Sequence, residues 1–152
     1  MLRLQQTSTA QRASEDMKTV LCHGVFDLLH FGHTEHLRKA KLFGDYLVVS
    51  VVADKFLSKG RAIYNQDERL DLLHALRNVD EVILCNAPGP EGIIQDIRPQ
   101  VYVRGADYVG KEMPEGALLK RLGIPIRYTT SCPPRTSEII TRVLAVHKAI
   151  RK

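Results

Sequence analysis

The sequence predicts a single α/β domain built on a doubly wound parallel sheet. Short apolar, β-branched runs alternate with helical patterns along most of the chain, as they do when crossover helices join parallel strands. The segment DYLVVSVVA at residues 45–53 is almost continuously apolar, which is typical of a strand buried on both faces. The 152 residues contain no internal repeat and match the usual size of one domain. The expected architecture is therefore Rossmann-like.

The first elements follow a polar N-terminal segment. Residues 1–17 are rich in Ser, Thr and Gln, and they hold too little apolar surface to pack, so we expect a flexible tail before a domain over residues 18–152. A strand is predicted at 19–25. A helix follows at 34–44, because a helical stripe runs to a terminal glycine.

The later elements continue the alternation. Asn65 and Glu68 form a capping-box pattern at the start of a predicted helix over 65–79, whose leucines repeat along one face. Further strands are predicted at 80–85, 101–104 and 125–130, short helices at 89–97 and 115–123, and an amphipathic helix at 137–150. In a sheet of this kind, ligands bind at the carboxyl ends of the strands, near the switch in strand order.

Composition excludes several classes of protein. Every candidate membrane span is interrupted by charged residues, and the three cysteines form no CxxC pair, which argues against a disulfide framework or a zinc cluster. The net charge of +5 favours an anionic partner. Because basic residues are scattered and not interleaved with aromatics, we expect phosphorylated small molecules and neither nucleic acid nor a membrane.

The stretch HGVFDLLHFGH carries the most specific signal. It lies where the first strand ends, at about Val25, and where a helix begins, near Gly32 or His33. A helix N-terminus offers free N–H groups and a partial positive charge, which together bind anions. Gly24 and Gly32 let the backbone approach such an anion, and His30 and His33 can direct two imidazoles at one phosphate group.

The other four histidines carry no comparable pattern. His23, His36, His74 and His147 are isolated from one another in the sequence. We interpret them as surface or helix-face residues with structural or neutral roles.

These residues point to a known family. GVFDLLHFGH resembles the HxGH signature of the cytidylyltransferase-like nucleotidyltransferases, and the resemblance extends from about Thr19 to Val143. GDYLVVSVVAD resembles the second strand of the family, SKG a basic loop, ERLDLLHALRNVDEVI the next helix and strand, VYVRGADY a late strand and turn, and PRTSEII the C-terminal Ser/Thr signature.

The resemblance implies transfer of a nucleotidyl group. The phosphate of a small phosphorylated acceptor would attack the α-phosphate of a nucleoside triphosphate, and pyrophosphate would leave without a covalent enzyme intermediate. Mg²⁺ is implied as the companion of the triphosphate, with no dedicated carboxylate cage. Catalysis would depend on positioning and on compensation of charge.

The resemblance also implies roles for individual residues. Catalytic roles fall to His30, His33 and Lys59, and Arg61 is a further basic candidate beside Lys59. Nucleotide-binding roles fall to Gly24, Val25, Phe26, Asp27, Gly32, Arg104, Gly105, Asp107, Thr136 and Ser137. Arg77 would contact the acceptor or a phosphate.

Some of these residues have structural alternatives. Asp27 could cap a turn, Ser137 could be a plain helix N-cap, and Arg77 could be a cation that complements a helix dipole. Asp54 and Asp80 are weaker candidates, which we interpret as caps or loop residues.

Two branches of the family remain open. VRGADY and the order Thr-Ser-Glu-Ile-Ile resemble heptose-phosphate adenylyltransferases, whereas FDLLHFGH, GDYLVV and RNVDEVI are closer to glycerol 3-phosphate cytidylyltransferases. We expect an ATP-using enzyme for a sugar or polyol phosphate, with a CTP-using enzyme for glycerol 3-phosphate as the alternative. Glu138 adds negative charge where a triphosphate would rest, so a non-catalytic nucleotide-binding regulator is the alternative of another class.

Two properties of the whole molecule follow from the same considerations. Unpaired cysteines suit a reducing compartment, so we expect a cytoplasmic enzyme. Family members are often dimers, and a homodimer stays open because no interface stripe is legible in the sequence.

Overall fold

The computed structural model describes residues 17–58, 62–130 and 134–151. Five strands form one parallel sheet in the order β3-β2-β1-β4-β5, and the strands are β1 (Thr19–Gly24), β2 (Tyr46–Val52), β3 (Glu81–Cys85), β4 (Val101–Gly105) and β5 (Ile126–Thr129). The helices are α1 (Phe31–Lys41), α2 (Gln66–His74), α3 (Glu91–Ile97), α4 (Gly116–Leu122) and α5 (Thr136–Ile150). The predicted Rossmann-like architecture is confirmed.

The sheet has a core on each face because successive strand side chains point in opposite directions. Val20 and Cys22 of β1 pack with Leu37 of α1 and Leu73 of α2. Leu21 packs on the other side, in a cluster that includes residues of α3 and α4. Helices therefore cover both faces, as the uninterrupted apolar sequence of β2 requires.

The strand order creates a switch point between β1 and β4. The chain first proceeds outward from β1 through β2 to β3, and then returns to β4 on the other side of β1. Val20, Leu21 and Cys22 pair with Val101, Tyr102 and Val103 in parallel register. Loops leave this point in opposite directions and open a crevice at the carboxyl edge.

Two helices, α1 and α2, differ from their predicted bounds by three residues or more. The Asn65–Glu68 capping box is present as predicted, but α2 ends at His74, before residue 79, because the chain turns there and Asp80 N–H already donates to Leu47 O of β2. The helix α1 begins at Phe31, with His30 as its N-cap, and ends at Lys41, so it lies three residues earlier than the predicted 34–44.

The helix α5 has nearly its predicted bounds, but its apolar side is unpartnered among the described residues. None of its residues is buried, and Val143, Leu144 and Ile150 are 60%, 55% and 78% exposed. The amphipathic helix was predicted, but its exposure was not. No helix in the described ranges combines the length and apolar character needed to cross a bilayer.

Candidate nucleotide site

A cavity of about 580 Å³ opens at the carboxyl edge of the sheet. Its walls come from the β1–α1 turn, the end of β4, the end of β5 and the start of α5. The predicted site residues that line it are Gly24, Val25, Phe26, His30, Gly32, His33, Arg104, Gly105, Asp107 and Thr136. The cavity therefore lies at the switch point, where the topology predicts a ligand.

His30 and His33 are stacked in this cavity. Their ring centroids lie 3.8 Å apart with an interplanar angle of 25°, and the edge of Phe26 approaches His33 with centroids 5.6 Å apart. His30 is the N-cap of α1 and His33 follows three residues later, a spacing that brings the two rings to one side of the helix. The expected pairing of the imidazoles is present in the structure.

His30 links the first turn of α1 to the first turn of α5. Its Nδ1 accepts a hydrogen bond from Gly32 N–H at 3.0 Å, so in the neutral ring Nε2 carries the proton. That nitrogen lies 3.2 Å from Thr136 Oγ1 on α5, and Nε2–H can donate to it. The Gly32 amide, which we expected to be available to an anion, is instead occupied by the His30 ring.

His33 is the ring whose hydrogen bonding is incomplete. Its Nδ1 is buried and has no hydrogen-bond partner among the described residues. Burial, reinforced by the neighbouring His30 and His36, lowers the pKa of His33 to about 4, against a weaker opposing effect of Asp27. The ring is therefore uncharged at neutral pH, and the side of it that lines the cavity can offer a hydrogen bond to a ligand.

The first turn of the site contains strained backbone and close contacts. Phe26 has φ of 54° and Leu28 φ of 49°, a region that costs non-glycine residues energy and often occurs at functional sites. A Cβ on Gly24 would lie 3.1 Å from the Phe26 ring. Glycine at position 24 therefore allows the turn to fold back over the end of β1.

Arg104 forms the opposite wall. Its Nη1 donates to His23 O at 2.7 Å, and its Cζ lies 3.9 Å from the centroid of the Tyr108 ring. Its Nε is buried without a hydrogen-bond partner among the described residues. A Cβ on Gly105 would lie 2.7 Å from Asp107 Oδ1, so glycine there leaves room for the Asp107 carboxylate.

The start of α5 forms part of the cavity wall, but only one of its two predicted nucleotide-binding residues lines the cavity. Thr136 lines it, whereas Ser137 lies outside the lining. Because Arg135 is the N-cap residue, Ser137 is not the cap and sits exposed in the first turn. Glu138 does line the cavity, next to His30, whose pKa burial lowers and Glu138 raises.

Two predicted contacts lie elsewhere. Asp27 accepts backbone hydrogen bonds from Ile63 at 2.8 Å and Tyr64 at 3.0 Å, so its carboxylate is engaged in holding the turn, as in the structural alternative. Arg77 is exposed in the turn after α2 and is absent from the cavity lining. Its position suits a cation close to a helix C-terminus.

The remaining predicted residues either lie outside the described ranges or make structural contacts. Lys59, Arg61 and the tail over residues 1–16 lie outside the described ranges. Asp54 pairs with Arg69 at 2.6 Å, and Asp80 pairs with Lys41 and accepts from Leu47 N–H. These two aspartates are loop and pairing residues, as we interpreted them.

Sequence reasoning missed two histidines of the cavity. His23 and His36 line it, where His23 Nδ1 lies 3.0 Å from Ser50 Oγ and His36 Nδ1 2.7 Å from Thr129 Oγ1. Burial first, and then the charge of Arg104, lowers the pKa of each to about 4, against smaller opposing carboxylates. The interpretation of His23 as a surface or helix-face residue was wrong, because it lies on β1 and lines the cavity. His36 does lie on a helix face, but that face borders the cavity, and His74 and His147 are exposed as expected.

Arg69 was also missed, although it organises the turn beneath the site. It is fully buried, and its guanidinium donates to Val25 O at 2.7 Å and to Val52 O at 2.9 Å. It thereby ties together the loops that follow β1 and β2. The sequence did contain an indication that Arg69 is buried. It precedes Leu73 by four residues and therefore lies on the same side of α2 as that leucine.

The cytidylyltransferase-like family model matches residues 21–141 of the chain. The chain belongs to the cytidylyltransferase-like family. The matched range contains the β1–α1 turn, the Arg104 wall and the first turn of α5. The family resemblance inferred from the motifs is thus confirmed.

Individual relatives of the family agree with this assignment. The bifunctional protein HldE of Streptomyces coelicolor is 38% identical over 118 residues, which are 75% of this chain and 26% of that protein. The bifunctional protein HldE of Methylobacillus flagellatus is 36% identical over 132 residues, 84% of this chain and 27% of that protein. The chain spans about a quarter of the length of these relatives.

Solved structures of similar proteins share the fold. The lipopolysaccharide core biosynthesis protein from Thermoplasma volcanium has a TM-score of 0.64 and 30% identity, with 78% of this chain and 99% of that chain covered. The pantoate-beta-alanine ligase from Francisella tularensis has a TM-score of 0.57 at 14% identity, covering 83% of this chain and 63% of that chain. At that identity the second likeness shows the fold alone.

Proposed function

We propose that this member of the cytidylyltransferase-like family is an enzyme that transfers a nucleoside monophosphate from a nucleoside triphosphate to a phosphorylated sugar or polyol. A phosphate oxygen of the acceptor forms a bond to the α-phosphorus. The bond from that phosphorus to the bridging oxygen breaks, and pyrophosphate leaves with the electron pair. No protein nucleophile is needed.

One observation supports this function most strongly: two stacked imidazoles line the cavity at the switch-point end of α1. Neutral rings there can donate hydrogen bonds to oxygens whose charge changes during transfer. In this scheme His33 contacts the α-phosphate in the transition state. His30 keeps the His33 ring in place, and its Nε2–H, which faces Thr136 Oγ1 in the structure, would exchange that partner for an oxygen of the neighbouring phosphate.

The remaining roles complete the proposal. Arg104 supplies a fixed positive charge on the wall opposite the histidines, which suits a phosphate or the acceptor. Gly24, Val25, Phe26, Gly32, Gly105, Asp107 and Thr136 line the space that the nucleotide would occupy. Lys59 is proposed as a mobile cation for the phosphates, on the strength of the family pattern alone.

Mg²⁺ is proposed as the companion of the triphosphate. Among the described residues, no cluster of three or more His, Cys, Asp or Glu side chains could hold a metal ion. The two carboxylates that line the cavity, Asp107 and Glu138, suit a hydrated Mg²⁺ held chiefly by the nucleotide. Such an ion would supply charge neutralisation on the leaving pyrophosphate.

The choice of nucleotide and acceptor follows the motifs. We propose ATP with a sugar phosphate, as VRGADY and the Thr-Ser-Glu-Ile-Ile order favour, and CTP with glycerol 3-phosphate is the alternative. Lipopolysaccharide core biosynthesis, in which the Thermoplasma volcanium protein takes part, is consistent with a sugar-based acceptor.

A regulator that binds nucleotide without turnover is the second candidate, favoured by one observation. Glu138 places a carboxylate in the cavity wall at the start of α5, where it would repel a triphosphate in the absence of a cation. The two candidates differ in whether pyrophosphate is ever released.

The test combines binding with turnover. The full chain is screened by thermal shift with ATP, CTP and GTP in Mg²⁺, where a nucleotide at 100 times its Kd should add about 2.7 kcal/mol of stability. Pyrophosphate release is then measured with a panel of sugar phosphates and glycerol 3-phosphate. Stabilisation without pyrophosphate from any acceptor would favour the regulator, and neither stabilisation nor release would refute both.

A further inference from the structure

A buried carboxylate lies behind the Arg104 wall, outside the cavity lining. Glu115 precedes α4 and is 2% exposed, although an isolated glutamate is rarely buried because desolvation of its charge is costly. It is absent from the residues that line the cavity, so a direct contact with ligand is not its function.

Glu115 is held by two residues of β4. Tyr102 Oη donates to Glu115 Oε1 at 2.7 Å, and Arg104 Nη2 lies 3.8 Å from the same oxygen. Tyr102 is fully buried, and positions 102 and 104 point to one side of the strand because side chains alternate. The hydroxyl therefore fixes the carboxylate, and the carboxylate faces the guanidinium.

The other contacts of Arg104 show how far its guanidinium is constrained. Nη1 is directed to His23 O, the ring of Tyr108 lies against Cζ, and Nη2 faces Glu115. Nε is buried and unpartnered among the described residues. An arginine has five N–H donors in a rigid plane, so fixing its two ends fixes the direction of the rest.

We propose that Glu115 is a positioning residue for Arg104, which it holds in the orientation that receives an anionic phosphate of the substrates. This inference rests on the proposed function, in which Arg104 contacts a phosphate. The alternative is an ion pair that serves stability alone. Buried ion pairs are weak indicators of stability, which makes ligand binding the decisive measurement.

The test compares Glu115→Gln with Glu112→Gln, a matched change at an exposed glutamate of the same loop. Affinity for Mg-ATP or Mg-CTP, whichever stabilises the full chain, is measured by calorimetry, and turnover by pyrophosphate release. Glu115→Gln should weaken nucleotide binding or raise the acceptor KM about tenfold, within the coupling range of residues in one ion-pair network. It should change kcat much less, because a ground-state contact is lost, and Glu112→Gln should change neither.

A double-mutant cycle separates positioning from general damage. Arg104→Met should weaken the same binding step, and Glu115→Gln should add little once Arg104 is gone. Equal effects of Glu115→Gln with and without Arg104, or no effect while Arg104→Met weakens binding, would overturn the proposal. Tyr102→Phe, expected to weaken binding in the same direction by about threefold, provides the same test if Glu115→Gln does not fold.

A readout without substrate distinguishes failure of this inference from failure of the proposed function. Burial first, and then the charge of Arg104, lowers the pKa of His36, and Asp107 opposes them, so a displaced guanidinium should raise that pKa in NMR titrations. Loss of a nearby carboxylate by itself would act in the opposite direction. If no nucleotide binds but Glu115→Gln and Arg104→Met both raise the pKa of His36, the proposed function fails and the positioning stands. A His36 pKa that is unmoved in both Glu115→Gln and Tyr102→Phe, the second of which keeps the carboxylate charge, refutes the positioning.

Discussion

Acidification should destabilise this protein because its cavity keeps three histidines neutral. His23, His33 and His36 each have a pKa of about 4 in the folded chain, against an ordinary value of 6.5. Between those two pH values the unfolded chain binds more protons than the folded one. The stabilising contribution is therefore complete above pH 6.5 and is lost as the pH falls towards 4.

The size of the effect follows from the shifts. At pH 5 a single histidine with the full shift would lower the free energy of unfolding by about 2 kcal/mol relative to pH 7.5, and three would give about 6 kcal/mol as an upper limit. The rings are only partly buried, and His33 and His36 influence each other. We therefore expect a total loss of about 3 kcal/mol, while most carboxylates remain ionised.

The assay is urea unfolding at pH 7.5 and 5.0, with the two free energies compared in wild type and variants. His36→Gln should reduce the loss by roughly a third, since one of three groups is removed. His74→Gln, at an exposed position of α2, should leave it unchanged. A free energy of unfolding that is the same at both pH values would show that these rings titrate normally, and the reasoning would be refuted.

Three further predictions concern single residues. His33→Ala should lower kcat by about 10²–10³-fold, the effect of removing a transition-state donor, with nucleotide Kd changed only a few-fold; an unchanged rate would remove His33 from the mechanism. Arg69→Met should lower the free energy of unfolding by about 3–5 kcal/mol, because the carbonyls of Val25, Val52 and Tyr64 lose a fully buried donor at about 1–3 kcal/mol each. The matched change Arg142→Met on exposed α5 should alter it by less than about 0.5 kcal/mol in the same urea assay. Glu138→Gln should lower the pKa of His30 further, since that carboxylate raises it; an NMR titration in which His30 rises or does not move would contradict the assigned contact.

The fold was predictable because its signals are local. The uninterrupted apolar run of β2, the Asn65–Glu68 capping box and the alternation of strands with helices each depend on residues close together in sequence. The turn with His30 and His33 was predictable for the same reason, since both imidazoles lie within one helical turn and stack at 3.8 Å. The local pattern also predicts the length of α5. It does not predict whether the apolar side of that helix is covered, because this depends on the packing of other elements.

The rest of the site could not be predicted in this way because its contacts are distant in sequence. His30 reaches Thr136 across 106 residues, and Arg104 reaches the carbonyl of His23 across 81 residues. Both contacts depend on the strand order, which places β4 beside β1. The alternation of strands and helices along the sequence does not specify that order. Asp27 was assigned to the nucleotide for the same reason. Its carboxylate accepts hydrogen bonds from the backbone amides of Ile63 and Tyr64, and no sequence motif pairs these residues with Asp27.

The sequence did indicate that His36 lies near the core, through its spacing from apolar residues of the same helix. His33, His36, Leu37 and Ala40 follow the i, i+3, i+4, i+7 spacing of one helix face, and Leu37 and Ala40 of that face are buried. A histidine that shares a face with core residues near a helix N-terminus must lie at the edge of the core, where a site forms. Burial there keeps the ring uncharged, so Arg104 supplies a positive charge to the cavity while the histidines supply neutral donors. In the proposed function, this arrangement would let the crevice attract a phosphate through the Arg104 guanidinium while it presents uncharged imidazoles to that phosphate.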